Sequence, residues 1–203
     1  MILEYSQLLS TAHRVLDGEV QVIRSARLPK LKLDTLTNLE PLKLKYSVRE
    51  KKLYTLRDPD RNKLLYKATH MNHPSAVWVR KSFQNYKWLH QLLTELCIEY
   101  TYRYGRIHKC QSSGLVYELT NLPANISTYT TFSEPTPAMP EYIKVPGDSL
   151  ASYRKYYVIE KAALAVWTKR PMPYWYRYPE LIDSHDFSIN NRDIREIEND
   201  LYV

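Results

Sequence analysis

The residues best suited to chemistry are gathered in one run, His70-Met71-Asn72-His73-Pro74-Ser75-Ala76-Val77-Trp78-Val79-Arg80. Pro74 suits the first position of a helix, where a missing N–H costs nothing, so His73 falls at the cap beside the exposed donors of the first turn. An anion can dock at such a terminus. His73 is therefore a candidate catalytic group, and Asn72, Trp78 and Arg80 are candidates for contact with a phosphate or base. The bland reading of the same loop is capping and nothing more. His70 and His73 also have a metal-like spacing, the basis of a further reading as a metal-dependent nuclease or hydrolase. A site needs three or four ligands, and only the distant His13, His90 and His108 add imidazole, so no metal and no cofactor is assigned.

A second cluster runs through Glu95, Glu99, Tyr100, Tyr102, Arg103, Tyr104, Gly105, Arg106, His108 and Lys109. Glu99 and Arg103 lie one turn apart on a helix, so the arginine can hold the carboxylate in a fixed pose, or the two form only an exposed ion pair. The adjoining rings and cations make a footprint for a phosphate and a stacked base, with Arg103, Arg106 and His108 as binding candidates. A third cluster joins Tyr153-Arg154-Lys155-Tyr156-Tyr157 and Glu160-Lys161 to Trp167-Thr168-Lys169-Arg170 and Pro173-Tyr174-Trp175-Tyr176. If buried, Glu160 has a raised pKa and serves as acid or base, while a desolvated Lys161 becomes nucleophilic; core tyrosines beside a solvated charge pair explain the same letters.

These groups must be positioned by a chain of 203 residues with 29 Lys and Arg against 22 Asp and Glu, a net charge of +7 that favours an anionic partner such as nucleic acid. Its aromatic set is 18 Tyr and 4 Trp but only 3 Phe, so polar-tipped rings that stack on bases or line half-wet pockets dominate. Four glycines exclude the dinucleotide-binding and Walker-type phosphate loops. Cys97 and Cys110 make no disulfide framework, and no secretory leader or apolar run of about 18 residues is present, so the expected compartment is the cytoplasm and no membrane partner is expected.

Ile2, Tyr5, Leu8, Leu9, Ala12, Val15 and Leu16 recur at helical spacing until Gly18. The stretch from Val20 to His70 concentrates the basic charge, and Lys52-Leu56 and Lys63-Tyr66 around Arg57-Asn62 read as a small hairpin or a solvated loop. From Pro74 toward Gly105 the pattern is helical, with Trp78, Phe83, Tyr86, Leu89, Leu93, Leu96 and Tyr100 on one face and a break near Ser82 or Asn85. A short helix from Gly114 to Asn121 and an extended, proline-rich connection from Ala124 to Pro146 follow. Asp148 or Ser149 caps a helix whose Leu150, Tyr153, Tyr157, Ala163, Leu164 and Trp167 are expected to face the core. The sum is a mainly α protein, a compact helical domain over 1–180 with a small β-hairpin and long connecting loops, and a C-terminal extension over 181–203 with a short amphipathic helix around Ile194, Ile197 and Leu201.

The runs Met1–His13, Asn72-His73-Pro74 through Trp78 and Arg80, Asn85–Leu89, Glu99-Tyr100-Thr101-Tyr102-Arg103-Tyr104-Gly105, and Tyr153-Arg154 through Glu160-Lys161 resemble a family of small, uncharacterised proteins of tailed phages and other large DNA viruses. The resemblance covers most of the chain up to Trp175. It implies a further segment ending in Cys-Asp-Lys-His ahead of the first helix, so the chain is expected to have a shortened start. Some members are similar to pyrimidine-dimer DNA glycosylases, compact helical enzymes that use the N-terminal amine as nucleophile with a glutamate as its partner; here Pro173-Tyr174-Trp175-Tyr176 resembles their aromatic tail. Met1 opens a helix, so the resemblance assigns no terminal amine and leaves Lys161 as the side-chain substitute.

Two functions are therefore expected. The first is a viral base-processing or repair enzyme on DNA, with phosphates held by Arg24, Arg27, Lys30 and Arg106, a base stacked on Trp78 or Trp175, and Glu99 or Glu160 as acid or base. The alternative is a non-enzymatic viral accessory protein that binds nucleic acid or a host protein through the same surface.

Overall fold

The computed structural model describes residues 1–27, 47–129, 131–167 and 169–179. They belong to two compact units, residues 1–132 and 133–203. The architecture is mainly helical with one two-stranded antiparallel ribbon. Lys30 and the expected C-terminal helix lie outside the described residues.

In the first unit, α1 (Ile2–Asp17) ends at Gly18. A Cβ on Gly18 would lie 2.4 Å from the Arg14 carbonyl oxygen, so the close exit of the chain requires glycine there. The apolar stripe read from the sequence is only part of what α1 buries. Ser6, Ser10, Thr11, His13 and Arg14 are buried beside Leu9 and Ala12, because α1 is covered on several sides rather than along one face.

The helix after Pro74 is broken where the sequence indicates. α3 (Pro74–Val79) has His73 as its N-cap, with Nδ1 accepting from the Ser75 N–H at 3.3 Å. α4 (Phe83–Tyr104) starts afresh at Ser82, whose hydroxyl accepts from the Asn85 N–H at 3.1 Å. Asn85 then donates to the Trp78 carbonyl at 2.9 Å and staples the two pieces together. Tyr86, Leu89, Leu93 and Cys97 face the core at intervals of three and four residues. They meet Leu9, Ala12, Trp78, Val79 and the residues of two short helices, α5 (Lys109–Ser112) and α6 (Leu115–Glu118), in one apolar cluster.

The ribbon lies elsewhere than expected. β1 (Glu19–Arg27) pairs with β2 (Ser47–Thr55) in register from Glu19 opposite Thr55 to Arg27 opposite Ser47. Lys52–Thr55 of the expected first strand do belong to β2, but most of the expected turn and the start of the expected second strand form α2 (Pro59–Leu64), and Leu65 and Tyr66 pair in no strand. Asp58 accepts from the N–H groups of Asp60 and Arg61, and Pro59 occupies the first helical turn; Asp-Pro starts a helix here rather than a tight turn.

In the second unit an extended run and a 3-10 turn at Glu141–Ile143 lead to α7 (Ser149–Ile159), capped by Asp148 at the Ala151 N–H. Here the expected inward face is corrected. Ser149, Ala151 and Ser152 are buried, whereas Leu150, Tyr153 and Tyr157 are exposed, and Ala163, Leu164 and Trp167 lie beyond the end of the helix. The small residues face inward because the Ser152 hydroxyl bonds the Val145 N–H and the Asp148 carbonyl, drawing the preceding turn against the backbone of α7. α8 (Tyr174–Arg177) closes the described chain.

Candidate nucleic-acid interface and the polar network behind it

The ribbon is set at its base by one side chain. Arg14 is almost fully buried, and its guanidinium donates to the carbonyls of Tyr66 (2.5 Å), Tyr54 (2.9 Å), Asn62 (2.8 Å) and Leu65 (2.8 Å) and to the Asn62 Oδ1 (2.7 Å). These bonds employ all the N–H donors a guanidinium has. Burial lowers its pKa from the ordinary arginine value. Through Tyr54 the same group fixes β2, and through Asn62 and Leu65 it fixes α2 and its exit.

Beside it, Arg61 pairs with Glu118 at 2.6 Å and reaches His13 Nδ1 at 3.2 Å. A guanidinium only donates, so Nδ1 accepts and the proton of His13 sits on Nε2, donated to the Tyr86 hydroxyl at 2.8 Å. Tyr86 in turn donates its O–H to the Leu119 carbonyl at 2.9 Å. Burial, reinforced by the Arg61 charge and opposed by Asp17 and the Asn121 carbonyl, lowers the His13 pKa to about 4. Asp17 itself accepts from the Ala124 and Asn125 N–H groups, joining the end of α1 to that loop. A cavity of about 460 Å³ opens over Arg61, lined by Asp58, Asp60, Leu64, Glu118, Asn121 and Leu122. Neither Glu99 nor Glu160 lines it.

His13 makes the fold less stable in acid. Its folded pKa lies below the unfolded value of 6.5, so the stabilisation from neutral His13 is complete above 6.5 and is lost as pH falls toward 4. Between about pH 7.5 and about pH 5 this one group is expected to remove about 2 kcal/mol from the unfolding free energy. Urea unfolding at both pH values, compared with His13→Gln, checks it; an equal pH dependence in the two chains would contradict it.

On the ribbon, Arg24 is exposed and pairs with Glu50 at 2.9 Å. Lys51 and Lys52 are exposed, as are Val20, Gln21, Val22, Ile23 and Ser25. Cross-strand register places Gln21, Ile23 and Ser25 with Lys51 on one face, and Val20, Val22 and Arg24 with Lys52 and Glu50 on the other. Arg27 occupies the far end of the described ladder.

The remaining candidates separate into three groups. Trp78 is buried and meets Trp88 and Phe132 edge-on, so it serves the core and offers no face to a base. Arg80 donates to the Met71 and Ala76 carbonyls at 2.6 and 3.0 Å, fixing the loop in which His70 adopts a left-handed conformation, while Asn72 and His73 are exposed. Among the described residues no group of three or more His, Cys, Asp or Glu side chains could hold a metal. At the end of α4, Glu99 accepts from Arg103 at 2.6 Å, and Tyr100 gathers Tyr104, Arg106 and His108 around its ring. In the second unit Glu160 accepts from the Tyr142 hydroxyl, Lys161 lies 5.2 Å from the Tyr156 ring, and Arg154 lies 5.6 Å from Trp175. The catalytic candidates Glu99 and Glu160 thus belong to different units.

The residues that sequence reasoning missed are Arg14, Arg61, Asn62, Glu118 and Tyr86. The available signal was His13-Arg14 with Asp17 near the end of α1; the side-chain partners of His13 and Arg14 lie 40 to 73 residues away and those of Asp17 more than 100. No helix among the described residues is long and apolar enough to cross a membrane, and both cysteines are free and buried. No family model, curated protein or solved structure matches the chain.

Proposed function

We propose that this chain is a DNA-binding accessory protein that holds duplex DNA with the β1–β2 ribbon and performs no chemistry on the bases. The carrying observation is the ribbon, nine residues per strand, its described side chains exposed on both faces over most of its length. A two-stranded ribbon fits a major groove about 12 Å wide. This one carries Arg24, Arg27, Arg49, Lys51 and Lys52 against Glu19 and Glu50, and the sequence joining its strands adds Lys30, Lys32, Lys43 and Lys45 against Asp34 and Glu40. Gln21 suits the edge of an adenine and Ile23 a thymine methyl, with Lys51 beside them for the phosphates. The Arg24–Glu50 pair is exposed and exchanges for a phosphate at little cost.

The resemblance of the Asn72–Arg80 and Glu99–Gly105 runs to proteins of DNA viruses supports the same reading, and with it a proposed location in the cytoplasm of a host cell. The base-processing reading draws no support from the candidate carboxylates, since Glu160 is exposed, neither Glu99 nor Glu160 lines the cavity over Arg61, and the two belong to different units.

Fluorescence anisotropy of a labelled duplex tests the proposal. Four neutralised phosphates give a salt slope of about −4 and a loss of roughly a hundredfold between about 50 and 200 mM salt. Ultraviolet-damaged duplex is expected to be bound and left intact. Absence of binding at low salt overturns the proposal, and a stoichiometric, salt-insensitive complex with a host protein replaces it.

A further inference from the structure

We infer that the C-terminal end of α4 is a stacking platform for an unpaired base of single-stranded DNA, with Tyr104 as the stacking ring and Arg106 as its phosphate partner. This rests on the same nucleic-acid-directed reading and adds the kind of DNA recognised, a duplex with an adjoining unpaired strand.

The platform is built by a turn. Gly105, with φ of +65°, ends α4 and donates its N–H to the Thr101 carbonyl. The chain then folds back, so that the Arg106 Nε donates to the Tyr100 hydroxyl at 3.1 Å and its guanidinium stands 6.0 Å from the Tyr100 ring. His108 meets the same ring edge-on at 4.9 Å, and its own Nδ1 accepts from the Cys110 N–H at 3.1 Å, which fixes the imidazole. Tyr100 is thereby held from several directions before any ligand arrives.

Tyr104 differs. It leans on Tyr100 with centroids 4.8 Å apart and planes at 48°, yet remains 63% exposed. A ring this exposed gains little from folding, whereas a base laid against it gains the stacking that a preorganised aromatic offers. The surroundings suit the phosphates that come with a base. Arg106 and Lys109 are exposed and follow the ring closely in sequence, and the one acid on this turn, Glu99, is already matched by Arg103. Ile107, also exposed, adds an apolar contact for the sugar or base.

The test compares labelled oligo(dT) with a duplex of the same length, using the full chain and Tyr104→Ala, Tyr104→Phe and Arg106→Gln. Tyr104→Ala is expected to weaken oligo(dT) binding about tenfold while duplex affinity stays within about twofold. Tyr104→Phe keeps the ring and is expected to bind oligo(dT) within about twofold of the parent. Arg106→Gln is expected to make the oligo(dT) salt slope shallower by about 0.7. Unchanged oligo(dT) affinity in Tyr104→Ala overturns the platform, as does an equal loss for both DNAs. A parent chain that binds duplex but not oligo(dT) overturns the platform alone; one that binds oligo(dT) but not duplex overturns the ribbon and leaves the platform standing.

Discussion

An Arg14→Met chain is expected to lose about 3–5 kcal/mol of unfolding free energy, read as a shift of the urea midpoint at unchanged slope. Methionine fills much of the same volume, so the loss isolates the hydrogen bonds rather than a void. With the guanidinium gone, the carbonyls of Tyr54, Asn62, Leu65 and Tyr66 lose their shared donor. A buried acceptor left unsatisfied costs about 1–3 kcal/mol, partly recovered where water reaches it. Arg14→Lys tests geometry against charge: an ammonium keeps the charge but cannot span acceptors arrayed around a planar fork, so it is expected to recover less than half of the loss. A loss below about 1 kcal/mol in Arg14→Met would mean that the base of the ribbon is held by other contacts.

A Lys51→Ala/Lys52→Ala chain is expected to bind duplex DNA at least about tenfold more weakly at low salt, with the salt slope shallower by about two. Both side chains are exposed, one on each face of the ribbon, so the unfolding midpoint should not move. Because phosphate contacts carry no sequence information, the loss should be the same for every duplex tested. Gln21→Ala provides the complement: a small loss of affinity concentrated on particular sequences. If the lysine variant binds as the parent does, the ribbon is not the contact surface.

Local features of the fold were legible in the sequence. Pro74 fixed His73 as a cap, Ser82 marked the break between α3 and α4, and Asp148 started α7, because each signal acts on backbone groups within three residues. The core face of α4 was legible because Tyr86, Leu89 and Leu93 repeat at helical spacing. The ladder was not, since it pairs Glu19 with Thr55 and its partners are too far apart in sequence to leave a local mark of register. Asp58-Pro59 is compatible with both a turn and a helix start, and the remote bonds from Arg14 to Asn62 and Leu65 favour the second. The inward face of α7 was misjudged for a related reason: a small-residue face and an aromatic face compete, and Ser152 decides through its bonds to the preceding turn.

For the interface, the sequence indicated Arg24, Arg27 and the ring-and-cation run after Glu99, all of which could be read from composition. It misplaced Trp78 because helical spacing does not say which rings are covered; Trp88 and Phe132 cover this one. It passed over His13 and Arg14 because the groups that satisfy them are remote and carry no mark in the sequence nearby.

The distance between α1 and its partners also governs the order of events during synthesis. His13 and Arg14 are made before their partners: Tyr54, Asn62 and Leu65 follow about 40 to 50 residues later, and Tyr86 and the Leu119 carbonyl later still. At roughly 5–20 residues per second, α1 waits on the order of 5–21 s on the ribosome before the last of these groups exists. Until then its His13 and Arg14 side chains gain nothing from burial and keep α1 solvated, so the helix acts as its own safeguard against premature collapse and locks only when nearly all of the first unit has emerged.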